Sequence, residues 1–309
     1  MKGNMNKPIQ LEIIEKIINY LFDGLITGKV FRLLNQTDLE KTIVAAKKEL
    51  FSNVEIRKAP IKIIIEHLLN ASVLHKINIS YTRNKRAYFY IGIKNEIESI
   101  QAAEILHSIK NNGILCFFSA FEIYELTTQY APYYHIADLH SISKPAVTHH
   151  VTSSTKVNEN KKPRNVLGTK EIIYNDVTYY LTRRNANNII SVKNLDIRGT
   201  NIKIVSIEQC LIDCFLYNIK SGGINIITEV WETAINYFDQ NCMLSILRKL
   251  NNFNLNRRIG FFFDYINYKT SSPFNEYLTE ASRMADGDIQ LLSDSNFVNK
   301  NSKWNIWAP

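Results

Sequence analysis

Asn201 to Gly223 reads NIKIVSIEQCLIDCFLYNIKSGG, and the change of period inside it decides the fold class. Ile202, Ile204 and Val205 around Lys203 have the β-branched alternation of a short strand. Ser206 then stands at a helix N-cap, and Gln209 three residues on completes an S-x-x-Q capping box. Glu208 in that first turn suits the positive end of the helix dipole. Ile207, Leu211 and Phe215 recur at helical spacing, and Cys210, Ile212 and Cys214 widen the apolar face. Gly222-Gly223 stops the helix and opens the next at Ile224. A strand feeding a capped, mostly apolar helix is the buried centre of a domain, and no catalytic group is needed to explain it. Glu208 and Asp213 are its polar exceptions, read as cap and salt-bridge residues.

Outward from that stretch, 309 residues are long enough for two domains, each with its own core. With 45% hydrophobic and 21% charged residues the composition is that of a globular protein. Apolar runs such as Ile259–Phe263 fall far short of the ~20 residues a membrane span needs. The start, MKGNMNKP, leads into an amphipathic helix and not a signal core, so a cytoplasmic protein is expected. Cys116, Cys210, Cys214 and Cys242 form no C-x-x-C pair, which points away from zinc and from a disulfide framework.

Charge is unevenly placed. The chain is net +8, and residues 1–95 carry 16 Lys/Arg against 8 Asp/Glu while residues 96–309 carry 21 of each. A basic first segment on a neutral body points to a polyanionic partner, above all nucleic acid.

That first segment reads as three helices and a hairpin. Ile13, Ile14, Ile17, Ile18 and Leu21 form one stripe of a helix from Pro8 to Phe22. Thr37-Asp38 caps a second helix running to about Phe51, and Lys58-Ala59-Pro60 opens a third ending near Ser72. Alternating strands over Lys76–Thr82 and Ala87–Ile93 are joined by Arg83-Asn84-Lys85-Arg86. This is the order of a winged helix-turn-helix, with the third helix near the major groove and the hairpin tip on phosphate. Lys58 and Lys62 are then the cations offered by the third helix, and Arg83, Lys85 and Arg86 those of the tip. Three phosphate contacts would give a log-log salt slope of roughly −2.7.

Beyond it, Glu171–Thr182 and Ile189–Val192 read as strands, with helices over Ile224–Phe238, Met243–Leu250 and Asn256–Tyr268. Arg257-Arg258 falls at the start of the last of these, against the dipole, where it meets either a partner's acidic surface or a core-edge ion pair. Between Ile142 and Val166 the sequence turns polar and loses periodicity, as a long loop does. Neither G-x-x-x-x-G-K-[ST] nor G-x-G-x-x-G is present, nor a G-x-S-x-G elbow or H-E-x-x-H pair. His149-His150 lacks a further ligand at metal spacing, and Asp286-Gly287-Asp288 reads as a turn. No catalytic residue, metal site or cofactor is assigned. A nuclease built from scattered carboxylates remains the enzymatic alternative.

The order of pieces resembles the AbiEi antitoxins of type IV toxin–antitoxin, or abortive-infection, systems. The likeness rests on V-S-I-E-Q-C-L-I-D, then S-G-G-I, then N-R-R-I-G-F-F-F-D and a Trp-containing end. By position it matches Glu208, Leu211, Ile212, Asp213, Gly222, Gly223, Arg258, Gly260 and Trp304, with Phe118-Ser119-Ala120 and Leu126-Thr127 upstream. It covers roughly residues 110–309, and departs from the family pattern at Gln209-Cys210, where Arg-Thr is usual. The resemblance implies an α/β (α+β) protein: a winged-helix domain over 1–95 and an antitoxin domain over 96–309. It further implies binding to inverted repeats in promoter DNA, with self-association on that DNA, and repression of the operon. The remainder would counteract a nucleotidyltransferase-type toxin without a tight complex and without a membrane role. Arg257, Arg258 and the Lys161-Lys162 loop are candidates for meeting the toxin. A stand-alone DNA-binding component of a defence system is the other reading.

Overall fold

The structure, a computed structural model, describes residues 7–141, 166–284 and 287–309. Its first elements are α1 (Lys7–Ile26), β1 (Leu33–Asn35), α2 (Gln36–Leu50), α3 (Val54–Arg57), α4 (Ile61–Asn70), β2 (Leu74–Lys76), β3 (Tyr81–Thr82), β4 (Tyr88–Ile91) and α5 (Ala102–Ile109). There follow β5 (Ile114–Cys116), α6 (Phe118–Ile123), β6 (Tyr133–His140), β7 (Thr169–Tyr174), β8 (Val177–Asn185), β9 (Val192–Ile197) and β10 (Thr200–Val205). The chain continues through α7 (Ile207–Leu216), α8 (Ile224–Ala234), α9 (Gln240–Leu250), α10 (Phe253–Tyr265), α11 (Ser272–Met284), β11 (Ile289–Gln290), β12 (Asn299–Asn301) and β13 (Ile306–Ala308). The class is mixed α/β, as expected.

Two compact units divide the chain. The first comprises Met1–Asn112, Lys170–Tyr179 and Asn194–Ile202; the second comprises Gly113–Thr169, Tyr180–Lys193 and Lys203–Pro309. The sequence reading ended its first domain at residue 95. In the structure α5 and two later segments belong with the first unit as well.

Within the first unit, the apolar stripe of α1 (Ile13, Ile17, Leu21) packs with Leu39 and Ile43 of α2 and Ile64 and Leu68 of α4. A small antiparallel sheet in the order β1-β4-β2 closes this core. Its register sets Leu34 opposite Phe89 and Leu74 opposite Ile91. The cap of α2 is Asn35, not Thr37-Asp38: its side chain accepts the Asp38 N–H at 3.1 Å and donates to the Ser108 carbonyl at 2.9 Å. One buried amide thus starts α2 and ties it to α5. A 3-10 turn, Lys94–Ser99, precedes α5, which starts behind a Gln101–Glu104 capping box.

The hairpin strands are shorter than the alternation predicts. β2 and β4 pair only over Leu74–Lys76 and Phe89–Ile91, and the chain between them then leaves the sheet. Tyr81 and Thr82 pair instead with Ile173 and Ile172 of β7. The run read as one strand, Glu171–Thr182, is itself a hairpin, turned by Asn175 and Asp176 at φ 48° and 62°. Consecutive left-handed residues make the turn that matches strand twist, and Arg198-Gly199 at φ 52° and 79° does the same between β9 and β10.

In the second unit β5 is central, parallel to β10 and antiparallel to β6. Ser206 caps α7 as the spacing predicts, accepting the Gln209 N–H at 3.3 Å. The return bond of the box is absent. Gln209 accepts from the Ile190 N–H at 3.0 Å and donates to the Asn188 carbonyl at 3.2 Å, fixing the loop before β9. α7 packs among α8, α9 and α10, where Phe215, Trp231 and Phe262 meet at centroid distances of 5.2 to 5.5 Å. Ser119 does not cap α6. It bridges to β6, donating to the His135 carbonyl and accepting the His135 N–H, both at 2.9 Å.

Candidate functional site

The outer face of α4 follows from its period. Ile64 and Leu68 are buried, while Lys62, Ile63, Glu66 and Asn70 are exposed one face away. Pro60 takes the N-cap position, one residue before the helix that the sequence reading gave it at N1. Lys58 is exposed in the turn before it. Lys47 is different: it is buried and donates to the Ala59 carbonyl at 2.6 Å, anchoring the entry to α4, and burial lowers its pKa.

All three cations assigned to the hairpin tip are exposed, and one of them is paired. The Arg83 N–H bonds the Glu171 carbonyl at 2.9 Å, and its guanidinium meets the Glu171 carboxylate, also at 2.9 Å. The physical cause is the pairing of β3 with β7, which sets Arg83 beside Glu171. Arg83 is thus held beside Glu171 in a surface ion pair, its side chain still 51% exposed. Lys85 and Arg86 stay exposed, Lys85 in the left-handed region at φ 52°. The confinement of positive charge to the opening third is also corrected. The first unit holds 19 Lys/Arg against 14 Asp/Glu, net +5, leaving 18 against 15, net +3, in the second. Arg32–Glu96 and Arg198–Glu104 join Arg83–Glu171 in balancing the first unit from within.

The residues carrying the family resemblance hold the second unit together. Glu208 accepts the Asp239 N–H at 3.0 Å, where Asp239 caps α9. Asp213 takes Arg184 in a bidentate, fully buried pair at 2.5 and 2.7 Å, and Gln209 adds a third donor at 3.0 Å. Burial works against the Arg184 charge, but Asp213 outweighs it and raises the guanidinium pKa. The cation lies between Phe117 and Tyr217, 5.3 and 4.6 Å from their ring centres. The sequence reading did not single out Arg184. Its signal was present, since a carboxylate at a buried helix position demands a cation, and Thr182 and Arg184 share the inward face of β8.

Gly222 sits left-handed at φ 86°, where an added Cβ would lie 2.9 Å from the Phe118 ring; Gly223, at φ 79°, precedes α8. Arg257 and Arg258 are not at a helix start. Asn252 caps α10, placing both a full turn inside it, where Arg257 is wholly buried. Arg257 donates to the carbonyls of Trp304 (2.8 Å), Gly287 (2.9 Å) and Asn305 (2.5 Å), and Arg258 to that of Gln290 (3.1 Å). A partner-facing role for this pair is corrected accordingly. Gly260 leaves room for Trp304, whose ring would come within 2.3 Å of an added Cβ, and the Trp304 indole donates to Asp264 at 2.6 Å.

Three of the four cysteines are shut away from thiol chemistry. Cys116, Cys210 and Cys214 are buried, and burial pushes all three thiols up, Cys116 to about 12. No group of three His, Cys, Asp or Glu that could hold a metal occurs among the described residues. His149-His150, Lys161-Lys162 and Asp286 lie outside the described residues. No helix among the described residues is long and apolar enough to cross a membrane.

Neither a family model nor a curated protein matches the chain. The crystal structure of the RV2827C protein from Mycobacterium tuberculosis is similar in fold, with a TM-score of 0.50 at 8% identity over 96% of this chain and 90% of that one. At that identity the likeness concerns the fold alone.

Proposed function

We propose that the chain is a DNA-binding antitoxin of AbiEi type: its first unit represses the operon promoter, and its second counteracts a nucleotidyltransferase-type toxin. The observation that carries the DNA-binding half is the element order of the first unit. α1, β1, α2, the short α3, α4 and the antiparallel pair β2–β4, with the sheet β1-β4-β2 over the helices, resemble the order of a winged helix, a fold that lays one helix in the major groove. On this reading α4 is that helix, with Lys62 and Asn70 outward and Lys58 in the turn before it, and Lys85 and Arg86 contact the backbone. The antitoxin half rests on the resemblance over residues 110–309, so the toxin-facing residues stay unassigned.

The test is fluorescence anisotropy on the operon's own promoter duplex and on a scrambled one, across salt. Replacing Lys85 and Arg86 by Ala should weaken both duplexes alike and flatten the log-log salt slope by roughly 1.8, two phosphates at ~0.9 each. Replacing Lys62 should weaken only the promoter. Equal affinity for both duplexes in the unaltered protein would remove the repressor reading. For the second half, co-expression with the neighbouring gene should restore growth that the neighbour alone stops.

A further inference from the structure

The outward face of α4 carries more than cations. Of its aliphatic side chains, Ile61, Ile64, Ile65, Leu68 and Leu69 pack into the core of the first unit, and Ile63 is left 41% exposed. Ile63 lines a small groove with Ile13 and Ile14 of α1, so packing on one side fixes its position. Lys62, Glu66 and Asn70 are exposed beside it. With 3.6 residues per turn, the four share roughly 100° of the helix surface. Lys62 and Glu66, four residues apart, form no ion pair, and neither they nor Asn70 has a side-chain hydrogen bond among the described residues.

An exposed isoleucine by itself signals nothing. Here it stands among groups that match the edges of bases. In the major groove lysine meets the acceptors of guanine, an amide the donor and acceptor of adenine, a carboxylate the N4 donor of cytosine, and an apolar tip the 5-methyl of thymine. Glu66 is the most informative of the set. A carboxylate turned toward phosphates weakens binding to any DNA, and accepting from cytosine N4 offsets that cost.

We propose that α4 selects its promoter site through Ile63, which packs on a thymine 5-methyl, and Glu66, which accepts from a nearby cytosine N4. The proposal rests on α4 as the groove helix and adds the bases that the helix selects. Three residues of helix rise about 4.5 Å, against ~3.4 Å per base pair, so the cytosine lies roughly one base pair from the thymine. Asn70, about 10.5 Å along from Ile63, falls roughly three base pairs away, where an adenine matches its amide.

The test is anisotropy on promoter duplexes in which each thymine in turn is replaced by deoxyuridine, which lacks only the methyl. One position should weaken binding about fourfold, the ~0.8 kcal/mol of one apolar carbon taken out of water. In Ile63→Ala that position should lose its penalty, and in Ile63→Val, which keeps an apolar tip, retain it. Ile63 lies outside the core, so both variants should keep the urea midpoint within a small shift. Glu66→Ala should tighten a scrambled duplex, because a repelled charge is gone, while narrowing the preference for the promoter. A protein that prefers its promoter yet is indifferent to every deoxyuridine would overturn the thymine contact and leave the DNA-binding reading standing. Equal affinity for promoter and scrambled duplex would remove both. An unchanged deoxyuridine penalty in Ile63→Ala, or equal tightening of both duplexes by Glu66→Ala, would also overturn the proposal.

Discussion

Asp213 illustrates how one buried carboxylate constrains its surroundings. Its two oxygens are filled by Arg184 and Gln209, with no water-facing lone pair to soften a change. Removing one partner of such a pair leaves an uncompensated charge, so Arg184→Leu should cost about 3–5 kcal/mol in urea unfolding. Joining it to Asp213→Leu should recover part of that loss. Gly260→Ala should cost about 1–3 kcal/mol by driving a methyl into Trp304, visible as a change in tryptophan emission and near-ultraviolet dichroism. Histidines set the pH response. Burial pushes His107 down to about 4, and burial with the Lys220 charge pushes His135 to about 3. Both lie below the unfolded value near ~6.5, so the unfolded chain takes up these protons first. Stability from this source is whole above that value and declines as pH falls toward about 4 for His107 and about 3 for His135. The slope is at most ~1.4 kcal/mol per pH unit for each. Urea midpoints at about pH 7 and pH 5 measure it, and His107→Gln should flatten its share.

At the scale of elements, period and caps carried most of what could be read. The strand and helix around Ser206 sit where the sequence places them, because a β-branched alternation, a Ser cap and a double glycine are all local signals. Gln209 shows where local signals stop. Its spacing fits a capping box, yet its side chain serves a loop some twenty residues upstream, and nothing local announces that competition. The hairpin tip failed for the same reason. Tyr81-Thr82 reads equally well as the end of one hairpin or as an edge strand, and only the distant segment Ile172–Ile173 decides between them. Arg83 meets Glu171 in consequence. The outward face of α4 was legible from its period, whereas the Phe31–His107 contact was not, since it joins residues far apart in sequence. Asn35 is an element-scale test. Asn35→Ala removes the α2 cap and the tie to α5 together, and should cost about 1–2 kcal/mol, with faster amide exchange in the first turn of α2 and the last turn of α5.

For the whole molecule, the structure redistributes the charge that the linear sequence piles at one end. Acidic residues from the later segments fold onto the basic ones, and a surplus of +5 remains on the first unit where the first 95 residues alone carry +8. A surplus of that size gives modest attraction to polyanions, strongly screened at the ~8 Å Debye length of physiological salt. Retention on heparin should therefore be moderate, and Glu171→Gln, which frees Arg83, should lengthen it.

Trp304 and Asn305 supply two of the three carbonyls that hold the buried Arg257, and Gly287 the other. A ribosome making this protein must release almost fifty further residues after Arg257 before those acceptors emerge. The second unit thus cannot close around α10 until that segment is made. A chain cut off before that point leaves the Arg257 donors unmatched and should be digested faster by protease than the whole chain.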